Sequence, residues 1–160
     1  EHGHRTFVEE EPADAIVIGQ SKWADFRQID IARRLVVNGA EVVALHRDLT
    51  WPDGDVTRIA LGPIVAAMES VIDGPVTVIG KPEKKFFTAA LQHAKFQREH
   101  TIMIGDSVQS DIRGAIDSGL KSLLVRTGNG TNECIPTDCG GELATIADLP
   151  DWCEKNLPKP

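Results

Sequence analysis

The sequence predicts an α/β fold built on a mostly parallel sheet. Short apolar segments of four or five residues alternate with longer segments in which apolar residues recur at helical spacing. This alternation is typical of βαβ units, in which a helix connects two parallel strands. Of the 160 residues, 41% are hydrophobic and 26% are charged, which is the composition of a globular protein, and no apolar run is long enough to span a membrane.

The first half of the chain is predicted to contain two strands, a turn and two helices. The strands are the apolar segments 15–18 and 41–45, and the turn is segment 50–55, which contains Pro and Gly. The helices, 25–37 and 61–72, carry apolar residues on one face. Each is followed within two residues by a glycine, which favours helix termination.

The second half continues the same alternation. Strands are predicted at 76–79, 101–104, 122–125 and, for a last short strand, 143–146. Helices are predicted between these strands, around Phe87–Ala94 and Ile112–Gly119, and a terminal helix begins near Pro150. Segment 127–141 is rich in Gly, Asn and Thr without periodicity, which predicts a loop.

Charge and cysteine content limit the classes of partner and the compartment. The 24 acidic and 17 basic residues give a net charge of −7, which disfavours nonspecific nucleic-acid binding. We therefore expect neither a nucleic-acid nor a membrane partner. With three cysteines and no secretory signal in view, we expect free thiols and a cytoplasmic location. A metal site built from Cys134, Cys139 and a histidine is the alternative.

Polar residues follow two of the predicted strands. Gly80 and Lys81 follow one strand; Gly105, Asp106 and Ser107 follow another, and Asp111 comes one helical turn later. Ligands of parallel sheets bind at the carboxyl ends of strands, where glycine permits close approach of a ligand. Two carboxylates suit Mg²⁺, and a lysine supplies a compact positive charge for a phosphoryl group.

Ordinary structural roles remain open for the same residues. Asp106 or Ser107 could cap a helix, Asp111 could be a first-turn acid favoured by the helix dipole, and Lys81 could be a solvated surface lysine. A P-loop is excluded, because Gly74 and Gly80 are separated by five residues rather than four. In addition, Pro82 occupies the position of the required Ser or Thr.

The combined pattern resembles the haloacid dehalogenase (HAD) superfamily of phosphatases, in particular the branch of NagD and the p-nitrophenyl phosphatases. The motifs that carry this resemblance are Gly80-Lys81-Pro82, Ile104-Gly105-Asp106-Ser107 with Ser110-Asp111-Ile112, Gly119-Leu120, and Leu124-Val125-x-Thr127-Gly128. The earlier part is similar to the α/β cap of that branch. The resemblance implies an α/β cap domain at 1–79 and the C-terminal half of a Rossmann-like HAD core at 80–160.

The resemblance also implies roles for individual residues. Lys81 would steady the phosphoryl group, Asp106 would bind Mg²⁺, and Asp111 would support the metal shell or orient Lys81. Gly80 and Ser107 would help to bind phosphate. His46, Arg47 and Asp48 would form a loop in the cap that selects the substrate; an ordinary turn at the end of a strand is the alternative. The implied reaction is hydrolysis of a small phosphorylated metabolite through an aspartyl-phosphate, which divides one displacement into two.

One departure from the family pattern is large. The family's nucleophile lies in an apolar strand that ends in Asp-x-Asp, and no such segment is present: Asp53-Gly54-Asp55 has the spacing, but Trp51-Pro52 precedes it. We expect that the chain lacks the first half of the core; a degenerate, inactive phosphate-binding or interaction module is the alternative. On the first interpretation the chain alone is inactive, and it dimerises, aggregates or needs the missing segment.

Overall fold

The computed structural model describes residues 12–20 and 25–157. The strands in this part of the chain are Ala15–Ile18 (β1), Glu41–Ala44 (β2), Thr50–Asp53 (β3), Val56–Ile59 (β4), Thr77–Val78 (β5), Ile102–Gly105 (β6), Lys121–Val125 (β7) and Glu142–Leu143 (β8). The helices are Phe26–Val37 (α1), Gly62–Glu69 (α2), Lys84–Ala94 (α3), Gly114–Asp117 (α4) and Leu149–Asn156 (α5). A π-helical turn, Val108–Arg113, leads directly into α4. None of the helices described is long and apolar enough to cross a membrane.

The predicted α/β class is confirmed, with parallel pairing in both three-stranded sheets. One sheet has the order β1-β2-β5 and the other has the order β6-β7-β8. The chain divides into two compact units, Glu1–Trp51 with Thr57–Gly80, and Pro52–Val56 with Lys81–Pro160. The identification of a cap at 1–79 and a half core at 80–160 stays a prediction.

The core of the first unit lies where α1 and α2 meet the sheet. Asp25 begins α1 by accepting a 3.0 Å hydrogen bond from the amide of Gln28, whose side chain accepts one from the amide of Asp25 in return. The buried members of the core come from β2, α2 and the segments beside them: Val42, Ala44, Leu61, Val65, Met68 and Val76. Apolar side chains of α1 and β1 complete the cluster, as the helical and strand patterns predict.

The second unit contains two clusters of buried apolar residues. One joins Phe87 of α3 to Ala115 of α4 and Leu120, and the other joins Val108 and Ile112 to Leu124 of β7. Together they fix α3, the π-helical turn and β7. The carboxyl end of β6, where the candidate site residues lie, is therefore held by packed elements.

Several predicted elements differ from the structure, among them the helix predicted around Ile112–Gly119, which is α-helical only over Gly114–Asp117. Segment 50–55, predicted as a turn alone, contains the end of a strand pair, because β3 and β4 flank a two-residue connection in which Gly54 adopts a φ of +64°. The strand predicted at 76–79 pairs only over Thr77–Val78. The helix predicted at 61–72 ends at Glu69. The last strand ends at Leu143, because Thr145 caps a 3₁₀ turn that begins at Ile146.

Candidate active site

The end of β6 and the π-helical turn after it bring Asp106, Ser107 and Asp111 together with Lys81, which lies just before α3. Gly105 makes this arrangement possible, since a Cβ at that position would lie 2.3 Å from Oδ2 of Asp111. Any side chain there would displace the Asp111 carboxylate from the end of the strand. The glycine predicted to admit a ligand thus admits a carboxylate of the protein itself.

Asp111 is the buried centre of the cluster, with only 3% of its side chain exposed. Its Oδ1 lies 2.5 Å from Nζ of Lys81, and its Oδ2 accepts hydrogen bonds of 3.1 Å from the amides of Asp106 and Ser107. A buried carboxylate is stable only when it is paired and hydrogen-bonded, and here both oxygens are engaged. Asp111 therefore fixes the position of the Lys81 ammonium and the backbone that carries Asp106.

Asp106 is held from the other side by the loop between β7 and β8. Its Oδ2 accepts a 3.0 Å hydrogen bond from the amide of Asn129, and its carbonyl oxygen accepts one of 2.6 Å from the amide of Gly130. The loop approaches so closely that a Cβ on Gly128 would lie 1.9 Å from Oδ2 of Asp106. Among the residues described, Oδ1 of Asp106 receives no hydrogen bond, and it is the oxygen that remains for a ligand.

Ser107 adopts the helix-cap role that the sequence left open. Its Oγ accepts a 3.2 Å hydrogen bond from the amide of Ser110 at the start of the π-helical turn. A hydroxyl that accepts one hydrogen bond keeps its own proton to donate. The hydroxyl group of Ser107 can therefore cap the turn and still donate a hydrogen bond to a phosphate.

Gly80 belongs to the first unit, where its nearest neighbours are backbone atoms. A Cβ on Gly80 would lie 1.7 Å from the carbonyl oxygen of Leu45. The close approach that requires glycine at this position is therefore to another segment of the same unit. Gly80 is adjacent to Lys81 in sequence, and its predicted part in phosphate binding stays a prediction.

His46, Arg47 and Asp48, the predicted selector loop, also lie in the first unit. Both terminal nitrogens of Arg47 donate to the carboxylate of Glu69, one of them over 3.0 Å. This hydrogen bond, aided by the charge of the guanidinium and opposed by partial desolvation, lowers the pKa of Glu69. Nδ1 of His46 accepts a 3.3 Å hydrogen bond from the amide of Asp48.

Sequence reasoning missed Arg126, the unspecified residue in the motif Leu124-Val125-x-Thr127-Gly128. Its Nη1 donates to the carbonyl oxygens of Gly130 and Glu133 at 2.5 and 2.7 Å, and its Nε and Nη2 donate to Oε2 of Glu142 at 2.8 and 2.5 Å. The signal that was available is position: an arginine at the end of a buried strand, before a Gly-rich loop.

The chemistry of these donors fits a magnesium ion at Asp106. Mg²⁺ is typically bound through one or two carboxylates, with water and phosphate oxygens completing the shell. Asp106 has a free carboxylate oxygen, whereas both oxygens of Asp111 are engaged, so Asp106 is the better ligand of the two. Within residues 12–20 and 25–157, no group of three or more His, Cys, Asp or Glu is arranged to hold a metal, and the alternative cysteine site is not formed there. All three cysteines are free thiols.

The comparisons with known proteins agree with one another. Residues 78–152 match a family model described as HAD-hydrolase-like. The haloacid dehalogenase-like hydrolase domain-containing protein 2 of Bos taurus is 37% identical over 72% of this chain and 45% of its own length. The chain thus spans about half the length of the curated relatives it matches.

Solved structures show the same likeness. A double mutant of the thermostable NPPase from Geobacillus stearothermophilus is 28% identical, with a TM-score of 0.72 over 81% of this chain and 52% of that chain. The glycerol phosphate phosphatase of Mycobacterium tuberculosis, in complex with magnesium, is 32% identical, with a TM-score of 0.66 over 75% of this chain and 36% of that chain. The motifs, the fold and these comparisons lead to one conclusion: residues 78–152 match the haloacid dehalogenase-like hydrolase family, and the chain is similar to hydrolases of that family over most of its length.

Proposed function

We propose that this chain supplies the phosphate- and magnesium-binding part of a phosphatase that hydrolyses small phosphate monoesters. The observation that carries the proposal is the cluster at the end of β6, in which a buried Asp111 holds the Lys81 ammonium and the backbone of Asp106 together. A fixed cation beside a free carboxylate oxygen suits a phosphoryl group with its metal. The names of the relatives, which include phosphatases, support the same class of reaction.

Each residue of the cluster has a proposed task. Lys81 binds a phosphoryl oxygen and stabilises negative charge on the transferring group, and Asp111 orients Lys81. Asp106 holds Mg²⁺ through Oδ1, and when bound the ion would supply further charge stabilisation. Ser107 donates a hydrogen bond from its hydroxyl group to the phosphate. Gly80 allows the backbone beside Lys81 to approach the phosphate. A cytoplasmic location belongs to the same proposal.

His46, Arg47 and Asp48 are proposed to select the substrate. Arg47 is occupied by Glu69, so its part would be to fix the loop rather than to bind a phosphoryl oxygen itself. His46 and Asp48 would then provide the contacts with the leaving group. We therefore expect substitutions at His46 to change the order of preferred substrates, and conservative substitutions at Lys81 to leave that order unchanged.

The nucleophile is proposed to come from a segment that these 160 residues do not contain. The family's reaction requires an Asp-x-Asp strand, and in the described part of the chain β6 is paired on one side only, in the order β6-β7-β8. An unpaired strand edge is a site where another strand can add. We therefore propose that an N-terminal core segment, or a second copy of the chain, covers this edge.

The test has two arms, both using p-nitrophenyl phosphate with Mg²⁺. The 160-residue chain is assayed alone, with its size measured in parallel. A longer version that includes any coding sequence upstream of Glu1 is assayed beside it. We expect no appreciable turnover from the chain alone, because losing a covalent nucleophile typically costs several powers of ten in rate. We expect magnesium-dependent turnover from the longer version.

Substitutions in the longer version assign the roles. Lys81→Met should lower kcat by roughly 10²-fold or more, as for other groups that stabilise transferring charge. Asp106→Asn should raise the magnesium concentration needed for half-maximal rate. Turnover by a monomer of the chain alone would contradict the proposal and would make Asp53 or Asp55 the first candidate for the nucleophile. If the longer version binds phosphate without turnover, the inactive binding module is the correct function.

A further inference from the structure

The loop between β7 and β8 is organised around one side chain, Arg126. Its guanidinium holds the carbonyl oxygens of Gly130 and Glu133 on one side and the carboxylate of Glu142 on the other. The hydroxyl of Thr131 closes the same turn, because its one proton is shared between the carbonyl oxygens of Arg126 and Gly128, which lie 3.0 and 2.6 Å from Oγ1. The loop has neither helix nor strand to fix it, so these bonds define its path.

The path of the loop determines the position of Asp106. The residues that contact Asp106, Gly128 to Gly130, are the ones that the Arg126 bonds enclose. The amide of Asn129 engages Oδ2 and the amide of Gly130 engages the carbonyl oxygen, so side chain and backbone are held at once. If the loop moved by one ångström, the bond to Oδ2 would exceed hydrogen-bonding distance.

We propose that Arg126 is a positioning residue: through the loop it fixes one oxygen of the Asp106 carboxylate and leaves the other directed to a metal ion. The magnesium part of this inference rests on the proposed function, whereas the positioning of Asp106 does not. Supporting groups of this kind, which orient a ligand without touching the metal, commonly change metal affinity by about 10-fold to 100-fold when they are removed.

Arginine suits this task better than lysine would. The planar guanidinium presents five donors in a fixed fork, and here four of its N–H···O contacts reach three acceptors in different directions. A lysine ammonium carries its three donors on one nitrogen and could not reach acceptors that lie in these different directions at the same time. The Arg126 side chain is 24% exposed and that of Glu142 is 49% exposed, so the charge is not deeply desolvated and its removal should leave the fold intact.

The experiment compares the longer version of the protein with its variants Arg126→Gln and Arg126→Lys by NMR. Hydrogen exchange of the Asn129 and Gly130 amides is measured against that of Leu123 and Leu124 in β7. The shift of the Asp106 amide is then followed during titration with Mg²⁺ alone. Arg98→Gln is the matched control, because it removes the same charge outside the loop.

We expect Arg126→Gln to speed exchange at Asn129 and Gly130 by tenfold or more without a change in β7. Its half-saturating Mg²⁺ concentration should rise by about 10-fold, with Arg126→Lys between it and the wild type. Unchanged exchange at Asn129 and Gly130 would overturn the proposal. If the wild type responds to Mg²⁺, an equal response in Arg126→Gln would also overturn it. A loss of protection in β7 as large as that in the loop would mark a general stability role and would overturn it too.

The failure of the magnesium assignment would look different. If the wild type shows no magnesium response while Arg126→Gln still releases the Asn129 and Gly130 amides, Arg126 positions Asp106 but Asp106 is not a magnesium ligand. That result would contradict the proposed function and support the positioning role.

Discussion

Two of the ion pairs in the described part of the chain have similar composition but very different surroundings. In the second unit Lys81 contacts Asp111, whose side chain is 3% exposed and whose other oxygen is held by two backbone amides. In the first unit Arg47 contacts Glu69, and their side chains are 40% and 34% exposed. Both pairs join a basic side chain to a carboxylate, but only the first is embedded in the backbone that surrounds it.

The difference shows how burial turns an ion pair into a preorganised site. A carboxylate removed from water depends on its partners, so Lys81 and the amides of Asp106 and Ser107 cannot move independently of it. An exposed pair exchanges its partners with water at little cost, and such pairs contribute only about 0–1 kcal/mol. The Lys81 and Asp111 pair therefore suits chemistry that requires fixed charges, whereas the Arg47 and Glu69 pair holds its loop less firmly.

The largest effect is expected from Asp111→Asn. The amide keeps the shape of the side chain but removes its negative charge, so Lys81 loses its ion-pair partner. The NH₂ group of the asparagine would then face either the Lys81 ammonium or the backbone amides of Asp106 and Ser107, which are also donors. Breaking a buried pair typically costs about 3–5 kcal/mol. Because Lys81 is 33% exposed and regains water, we expect the lower end, about 3 kcal/mol, in the free energy of unfolding of the second unit by urea titration.

Glu69→Gln is the matched control for Asp111→Asn, since it makes the same chemical change in the exposed pair. We expect its effect on the free energy of unfolding to be under about 1 kcal/mol. Equal effects of the two substitutions would show that burial does not make the Lys81 and Asp111 pair more stabilising than the Arg47 and Glu69 pair.

A smaller effect is expected from Gly128→Ala. The new methyl group would lie 1.9 Å from Oδ2 of Asp106, so the loop or the carboxylate must shift. Overpacking of this kind typically costs about 1–3 kcal/mol in the free energy of unfolding. The Asp106 carboxylate should also shift, so that its Oδ1 is no longer held in position for a metal ion. The measurement is urea unfolding together with the Mg²⁺ titration of the Asp106 amide.

Asn129→Ala is the control for Gly128→Ala. It changes the neighbouring residue but keeps the backbone amide that donates to Asp106. We expect near wild-type stability and magnesium response. If Asn129→Ala weakened the magnesium response as much as Gly128→Ala, the side chain of Asn129 rather than the loop path would be responsible.

The buried pair was also the part of the site that the sequence could indicate. Lys81, Asp106 and Asp111 follow apolar strands, and parallel strands place their carboxyl ends at one edge of a sheet, so their proximity could be expected from pattern alone. The sequence could not predict which oxygen of each carboxylate is engaged in hydrogen bonds within the protein. Asp111 was predicted either to support a metal shell or to orient Lys81, and its contacts favour the second role.

The parts that the sequence missed depend on long-range contacts. Arg126 lies beside a loop without periodicity, and its role depends on Glu142, sixteen residues away, as well as on carbonyl groups that carry no sequence signal. The β3 and β4 pair was missed for another reason. The segment Trp51-Pro52-Asp53-Gly54 is rich in residues that favour turns, so the sequence predicted a turn alone and not the short strands on either side of it.

The smallest effect concerns the pH dependence of the exposed pair. The hydrogen bond from Arg47 lowers the pKa of Glu69 below its ordinary value of 4.5, with the charge of Arg47 acting in the same direction. A carboxyl group whose pKa is lower in the folded state stabilises the fold above that ordinary value. This contribution is lost as the pH falls through the folded-state pKa, since protonated Glu69 no longer prefers the folded state.

The stability difference between the wild type and Glu69→Gln should therefore be present at pH 7 and shrink as the pH falls below 4.5. At pH 7 this stability difference should be under about 1 kcal/mol, because the side chains of Arg47 and Glu69 are 40% and 34% exposed. Salt should reduce the difference further. The measurement is urea unfolding of both proteins across this pH range, at low and high salt. A difference that grows as the pH falls would contradict the sign of the pKa shift. A difference of several kcal/mol at pH 7 would mean that the Arg47 and Glu69 pair is as firmly fixed as the Lys81 and Asp111 pair.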